Sequence, residues 1–223
     1  MFSKTASELY REYQVPPNLQ EHLYKVASVG LQVVNGWVGS KEIDKGIITQ
    51  VLLIHDIANI IRFDFENYSH FLQDDEERLD YWKSIQKDFI RKYGSEEHAA
   101  TVKIAKEVGI SDKVIYVFKN IGSRNLVRVL KGYDWNRKIC NYADCRVAPY
   151  GVAATAERLD DVIRRYRKRD RRVASGELKQ MKQDCLELEK QIQSSVNFNL
   201  NEITDDSIVK YLRTLPVYRF QLK

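Results

Sequence analysis

Apolar residues recur along this chain at spacings of three and four, and alternating apolar and polar positions are rare, so the pattern is helical nearly throughout. Residues 3 to 13 predict a short amphipathic helix, ended by the prolines of "VPPN" because proline cannot continue a helix interior. Asn18 is placed to cap the next helix, with Glu21 three residues on in a capping-box-like pattern. That helix is expected from about Leu19 to Val38. Leu19, Leu23, Val26, Gly30 and Val33 fall on one stripe, and His22 lies on the same stripe. A second helix, from about Lys41 to Asn59, places Ile48, Val51, Leu52 and His55 on one face. Residues 62 to 75, "RFDFENYSHFLQDD", are aromatic and acidic without a period, an excursion suited to covering a site. Helices follow at about 76–93, 96–108, 134–149, 152–173 and 176–195. Shorter ones are expected between Gly109 and Gly122, at 125–132 and at 204–214. The expectation is an all-α bundle, with a core over residues 1–173 and a C-terminal helical extension over 174–223. That extension would pack back on the core or onto a second copy, a homo-oligomer.

Composition narrows the class. The 223 residues and an apolar fraction of 43% support a real core, so disorder of the whole chain is excluded. A net charge of +5 does not indicate nucleic acid by itself, and it suits anionic small molecules such as nucleotides. The three cysteines, Cys140, Cys145 and Cys185, are odd in number and form no CxxC, which argues against a disulfide framework or a cysteine zinc site. A reducing, cytoplasmic setting fits best. The N-terminus has no apolar signal core, and no apolar run approaches the roughly 20 residues of a membrane helix.

The chemistry concentrates in "VLLIHDIANII", where His55 and Asp56 interrupt an aliphatic run. Both are costly to bury unpaired. Read alone, each of the chain's buried histidines has a structural alternative, an imidazole bonded to a carbonyl of the core. Read together, His22, His55, Asp56 and Asp144 are four candidate ligands from three helices, in an order H…HD…D. Carboxylates suit hard divalent cations, and imidazole suits Zn, Mn, Fe, Co or Ni. Adjacent His55 and Asp56 diverge by about 100° on a helix, so they share an ion only near the helix end.

The same order, in its context, resembles the HD-domain superfamily of metal-dependent phosphohydrolases. "NLQEHLYKVASVG" is similar to that family's first motif, "ITQVLLIHDIANI" to its A-x-L-L-H-D-I-G-K motif, and "NYADCRVAPYGV" to its final Ala-Asp motif. The resemblance spans roughly residues 15 to 165. It implies an HD-domain-like bundle, one divalent ion (Mn, Mg, Fe, Co, Ni or Zn) held by His22, His55, Asp56 and Asp144, and hydrolysis of a nucleotide or related phosphate ester. Ala58-Asn59 stands where Gly-Lys is common. No acidic pair follows the HD dipeptide as in alarmone hydrolases, and the first acid after Asp56 is Asp64, unlike the 5′-deoxynucleotidase branch.

Around that set, Asp56 is a candidate for orienting water. His98, on a face with Val102 and Ala105, and Asn59, in the place of the common lysine, are further catalytic candidates. His70 sits in the excursion and is the weakest of the four histidines. Arg146, Lys45 and Arg62 are candidates for neutralising a phosphoryl group, each with a solvated surface charge as the alternative. Residues 158–172 hold eight Lys/Arg against three Asp. This is either a solvated amphipathic helix or an anion-facing ridge for nucleic acid. Three functions are carried forward: a phosphohydrolase, a non-catalytic metal- or nucleotide-binding module with RNA or protein contacts, and a structural helical protein.

Overall fold

A computed structural model describes residues 3–122, 125–169 and 175–223, the side chains of 68–71, 73, 74, 166–169 and 175 excepted. His70 and the basic stretch beyond Arg165 therefore lie outside the described side chains. In chain order the helices are α1 (Ala6–Glu12), α2 (Pro17–Asn35), α3 (Lys45–Ile54), α4 (Phe65–Tyr68), α5 (Leu79–Tyr93), α6 (Glu97–Val108), α7 (Asp112–Phe118), α8 (Leu126–Lys131) and α9 (Trp135–Asp144). A two-residue hairpin, β1 (Val147–Ala148) with β2 (Gly151–Val152), precedes α10 (Thr155–Arg169), α11 (Ser175–Gln193) and α12 (Asp205–Leu212). The protein is all-α, as the spacing of its apolar residues requires. Among the described residues no helix is long and apolar enough to cross a membrane.

Three helices form the centre. α2 packs on both α3 and α9, and α3 packs on α9. Gly30 is where they meet: a Cβ there would fall 2.2 Å from Leu52 Cδ1 of α3 and 3.7 Å from Ala143 Cβ of α9. The missing side chain lets α2 approach closely enough for its His22 to reach the ends of the other two. Leu23, Val26, Val33, Ile48, Leu52 and Ile139 are fully buried around this contact. Each such side chain contributes about 1.5–3 kcal/mol on burial, so the three ends are carried on a stiff support.

Several element ends differ from the sequence expectation: α2 ends at Asn35 rather than Val38, α3 begins at Lys45 rather than Lys41, and α9 ends at Asp144 rather than at 149. α2 starts at Pro17, with Pro16 as its cap and no side-chain cap bond, so Asn18 lies inside the helix. Proline at the first helical position lacks only an N–H that would go unused there, and its φ is already helical. α3 stops at Ile54 rather than Asn59. Beyond it Ile57, Asn59, Ile61 and Phe63 each donate to the carbonyl three residues back, at 2.8–3.1 Å. The chain thus tightens into 3₁₀ turns and swings Asp56 round beside His55. The excursion that follows is also wound, as α4 and a 3₁₀ helix over Ser69–Arg78.

The C-terminal segment belongs to the same apolar core. Leu188, Ile192, Leu200, Ile208 and Phe220 join the cluster that contains the α2–α3 contact. α11 lies on α8, α9 and α10, and α12 lies on α2. The hairpin is fastened in the same way: Asp205 of α12 accepts from Val152 N at 3.1 Å. Gly151 sits at φ +134° with no room for a Cβ, which would fall 2.4 Å from that carboxylate.

Candidate metal centre

His22 lies in the second turn of α2, His55 caps the C-terminus of α3, and Asp144 is the last residue of α9. Their ligand atoms all lie within 4.8 Å of one another. Nε2 of His55 is 3.6 Å from Asp144 Oδ1, and Nε2 of His22 is 3.7 Å from the same oxygen. Asp56 Oδ2 is 3.9 Å from His22 Nε2, at the edge of the group. Ligands on one ion at about 2.1 Å stand roughly 3.0–3.4 Å apart, so these gaps close with small side-chain rotations.

The hydrogen bonds orient the set. His55 Nδ1 lies 2.8 Å from Leu52 O, which fixes Nδ1 as the donor and turns Nε2 toward Asp144. That Nε2 is buried and has no hydrogen-bond partner; 3.6 Å is too long for a hydrogen bond. Asn59 Nδ2 donates to Asp56 Oδ2 at 2.9 Å and holds the carboxylate in place. The centre is not sealed. The Asp144 side chain keeps 44% of its surface exposed and His22 keeps 20%, so a ligand can reach both.

Electrostatics describe a place that wants a positive charge. Burial works against charge on His55, but the carboxylates of Asp56 and Asp144 outweigh it and lift the imidazole to about 9. Burial and the neighbouring His55 push His22 down to about 4. Asp144 is held well below the usual carboxylate range: burial opposes this, and the His55 and His22 imidazoles overcome it. A cation between these groups satisfies the carboxylates and the unpartnered Nε2 together, displacing the proton that Nε2 otherwise keeps. The donor set and its orphaned nitrogen therefore fit a divalent ion of the kind imidazole and carboxylate share.

The other predicted residues divide. His98 is half-buried and stacks on Phe118, with ring centroids 4.3 Å apart, and is not part of the His22–His55–Asp144 group. Its neighbour Glu97 is the acid that faces the centre. Burial, and next the Asp56 carboxylate, raise Glu97 to about 8, with Arg62 and His55 opposing. Glu97 Oε1 is buried and unpartnered. The sequence signal for it was the acidic pair opening α6: Glu96 takes the cap, accepting from Ala99 N at 2.6 Å, and leaves Glu97 to turn inward.

Two proposed phosphate cations are corrected. Arg146 is 2% exposed and donates to Ala153 O, Leu200 O and Ile203 O at 2.6–3.0 Å, and to the Tyr142 hydroxyl. With its donors engaged inside the protein it cannot face a substrate. Lys45 opens α3, about 15 Å along the helix axis from His55, and donates to Asn35 Oδ1 at 3.1 Å. Arg62 is exposed and acts electrostatically on Glu97. Sequence reasoning missed Arg158, hidden in the basic stretch. Its Nε donates to Val147 O at 2.6 Å, and its charge helps hold Asp144 low. Comparison of the chain with protein-family models, with curated proteins and with solved structures finds no match.

Proposed function

We propose that this protein is a metal-dependent hydrolase of phosphate esters, with a nucleotide or a similar small phosphorylated molecule as substrate, of the HD-domain kind that its three motifs resemble. The observation that carries the reading is the convergence of His22, His55 and Asp144 within 4.8 Å, with His55 Nε2 buried and without a hydrogen-bond partner. His22, His55, Asp144 and the adjacent Asp56 would hold the ion. Bound there, a divalent cation polarises a phosphoryl oxygen and makes a water acidic enough to attack near neutral pH. Asp56, aimed by Asn59, lies where it can orient that water and take its proton. Arg158, part of whose charge Asp161 offsets, lends positive charge near Asp144, and Arg62 lends it near Glu97, for the phosphoryl group. The exposed edge of Asp144 leaves the substrate a way in.

The alternative, a non-catalytic metal- or nucleotide-binding module, shares this cluster and is separated from the enzyme by turnover, while its basic ridge is described only as far as Arg165. Of its basic ridge, Arg158, Arg164 and Arg165 all lie within 3.8 Å of Asp161, which offsets part of their charge.

The test is elemental analysis of protein purified without chelator, paired with a hydrolysis screen over mononucleotides, cyclic nucleotides and short oligonucleotides. One divalent ion per chain and chelator-sensitive release of phosphate or nucleotide are expected. A protein that takes up no divalent ion under any loading condition overturns the reading.

A further inference from the structure

Cys145 and Cys185 are separated by forty positions in the chain, yet their sulfurs lie 3.4 Å apart. Cys145 caps the C-terminus of α9, directly after Asp144, and is partly exposed. Cys185 lies in α11 and is 3% exposed. Both are free thiols, as is Cys140, which is fully buried. A disulfide brings sulfurs to about 2.05 Å, so closing this pair takes a movement of about 1.4 Å. α11 is long and packs on both α9 and α10. The helix cap at Cys145 is the lighter partner, and the residue it carries with it is Asp144.

We propose that Cys145 and Cys185 are a thiol-oxidation site, closed to a disulfide by a small-molecule disulfide such as oxidised glutathione, and that closure draws Asp144 out of register with His22 and His55. The second half rests on the metal-binding reading above. In the exchange, the partly exposed Cys145 sulfur attacks one sulfur of the oxidised glutathione as thiolate, and the first glutathione leaves as thiolate. Cys185 then attacks the Cys145 sulfur of the mixed disulfide and expels the second. Two protein thiols are oxidised to one disulfide, one glutathione disulfide is reduced to two thiols, and the two protein protons end on the glutathiones. The neighbouring Cys185 thiol and burial keep the Cys145 thiol above its ordinary range, so the exchange is slow. Coupling between two equilibria is reciprocal: an ion that needs Asp144 in place resists disulfide closure by the factor that closure weakens the ion.

The experiment uses the full chain, incubated to equilibrium at graded ratios of oxidised to reduced glutathione, with and without Mn²⁺. Free thiols are counted by alkylation and intact mass. Metal-free protein is expected to pass from three free thiols to one, with a mass loss of about 2 Da, and a crosslinked peptide should join the end of α9 to α11. Cys140→Ser should behave alike, while Cys145→Ser and Cys185→Ser should form no crosslink. The oxidised chain should bind Mn²⁺ roughly tenfold more weakly, and Mn²⁺ should shift the glutathione midpoint ratio by the same factor. Three thiols persisting at every ratio, or a lasting glutathione adduct, overturns the site. A disulfide with unchanged Mn²⁺ affinity overturns the coupling. Reduced protein that binds no Mn²⁺ overturns the metal-dependent function instead, and the thiol count alone then decides the oxidation site.

Discussion

Asp144 and Arg146 stand two residues apart at the end of α9, and the protein surrounds them in opposite ways. Arg146 is a buried cation whose needs are met: three carbonyls and the Tyr142 hydroxyl accept from it, and Glu189 lies 4.0 Å away. Two of those carbonyls, of Leu200 and Ile203, belong to the C-terminal segment, so the guanidinium fastens that segment to the end of α9. Asp144 sits among polar groups whose needs are unmet: His55 Nε2 has no partner, and the nearest imidazole nitrogens stand beyond hydrogen-bond range. A folded chain that leaves a buried donor or acceptor bare forgoes about 1–3 kcal/mol. The same few residues engage one charge inside the fold and leave its neighbour open, and the proposed function rests on that open cluster taking a cation.

The comparison breaks most sharply if each residue is changed in turn. Asp144→Asn keeps the shape and removes the charge. It is expected to cost at least about 10³-fold in chelator-sensitive hydrolysis, roughly 4 kcal/mol of transition-state stabilisation, and to abolish stoichiometric metal. Thermal and denaturant stability should stay within about 1 kcal/mol of the parent, because the side chain is 44% exposed. Arg146→Met should reverse the pattern. It strands three carbonyls, costs about 3 kcal/mol in urea unfolding, and still binds one metal ion per chain at temperatures where it is folded. Equal losses of metal in both variants would collapse the distinction between the two clusters.

How much of this was legible in the sequence follows the same divide. Helical periodicity carried the fold, because most of each helix is set by its own apolar stripe. The order His22, His55-Asp56, Asp144 could be read because each residue interrupts such a stripe. Ends were less legible: Asn18 has the chemistry of a cap, but Pro17 already has the geometry of a helix start, and α3 closes seven residues before its apolar run does. Long-range pairing was not legible at all. Nothing near Arg146 in the chain announces Leu200 and Ile203 as its acceptors, and nothing near Cys145 announces Cys185. Arg158 was hidden for the same reason, and Glu97 could be read only as far as the acidic pair that opens α6. A charged residue near a helix start looks solvated until the element opposite it is known.

The smallest expected effect sharpens the comparison most finely, because it concerns a residue that touches a candidate ligand without joining the cluster. Asn59 donates to Asp56 Oδ2 at 2.9 Å, and its own backbone N–H is bonded to the Asp56 carbonyl at 2.8 Å. The 3₁₀ turn therefore brings the amide to the carboxylate, and Asn59 acts only through Asp56. Asn59→Ala removes the side-chain bond and keeps the turn, which the backbone makes. The freed carboxylate can rotate away from His22, 3.9 Å off. Outer partners of this kind are worth about 10–100-fold, and Asp56 is the most peripheral of the four candidate ligands, so a loss near tenfold in kcat is expected, with metal stoichiometry unchanged. Asn59→Asp distinguishes positioning from simple contact: it keeps the size but sets a second carboxylate against Asp56, so it should lose more activity than alanine does. An alanine variant that matches the parent in rate and in metal affinity would place Asp56 outside the working set and leave His22, His55 and Asp144 as the whole of the ion's protein ligands.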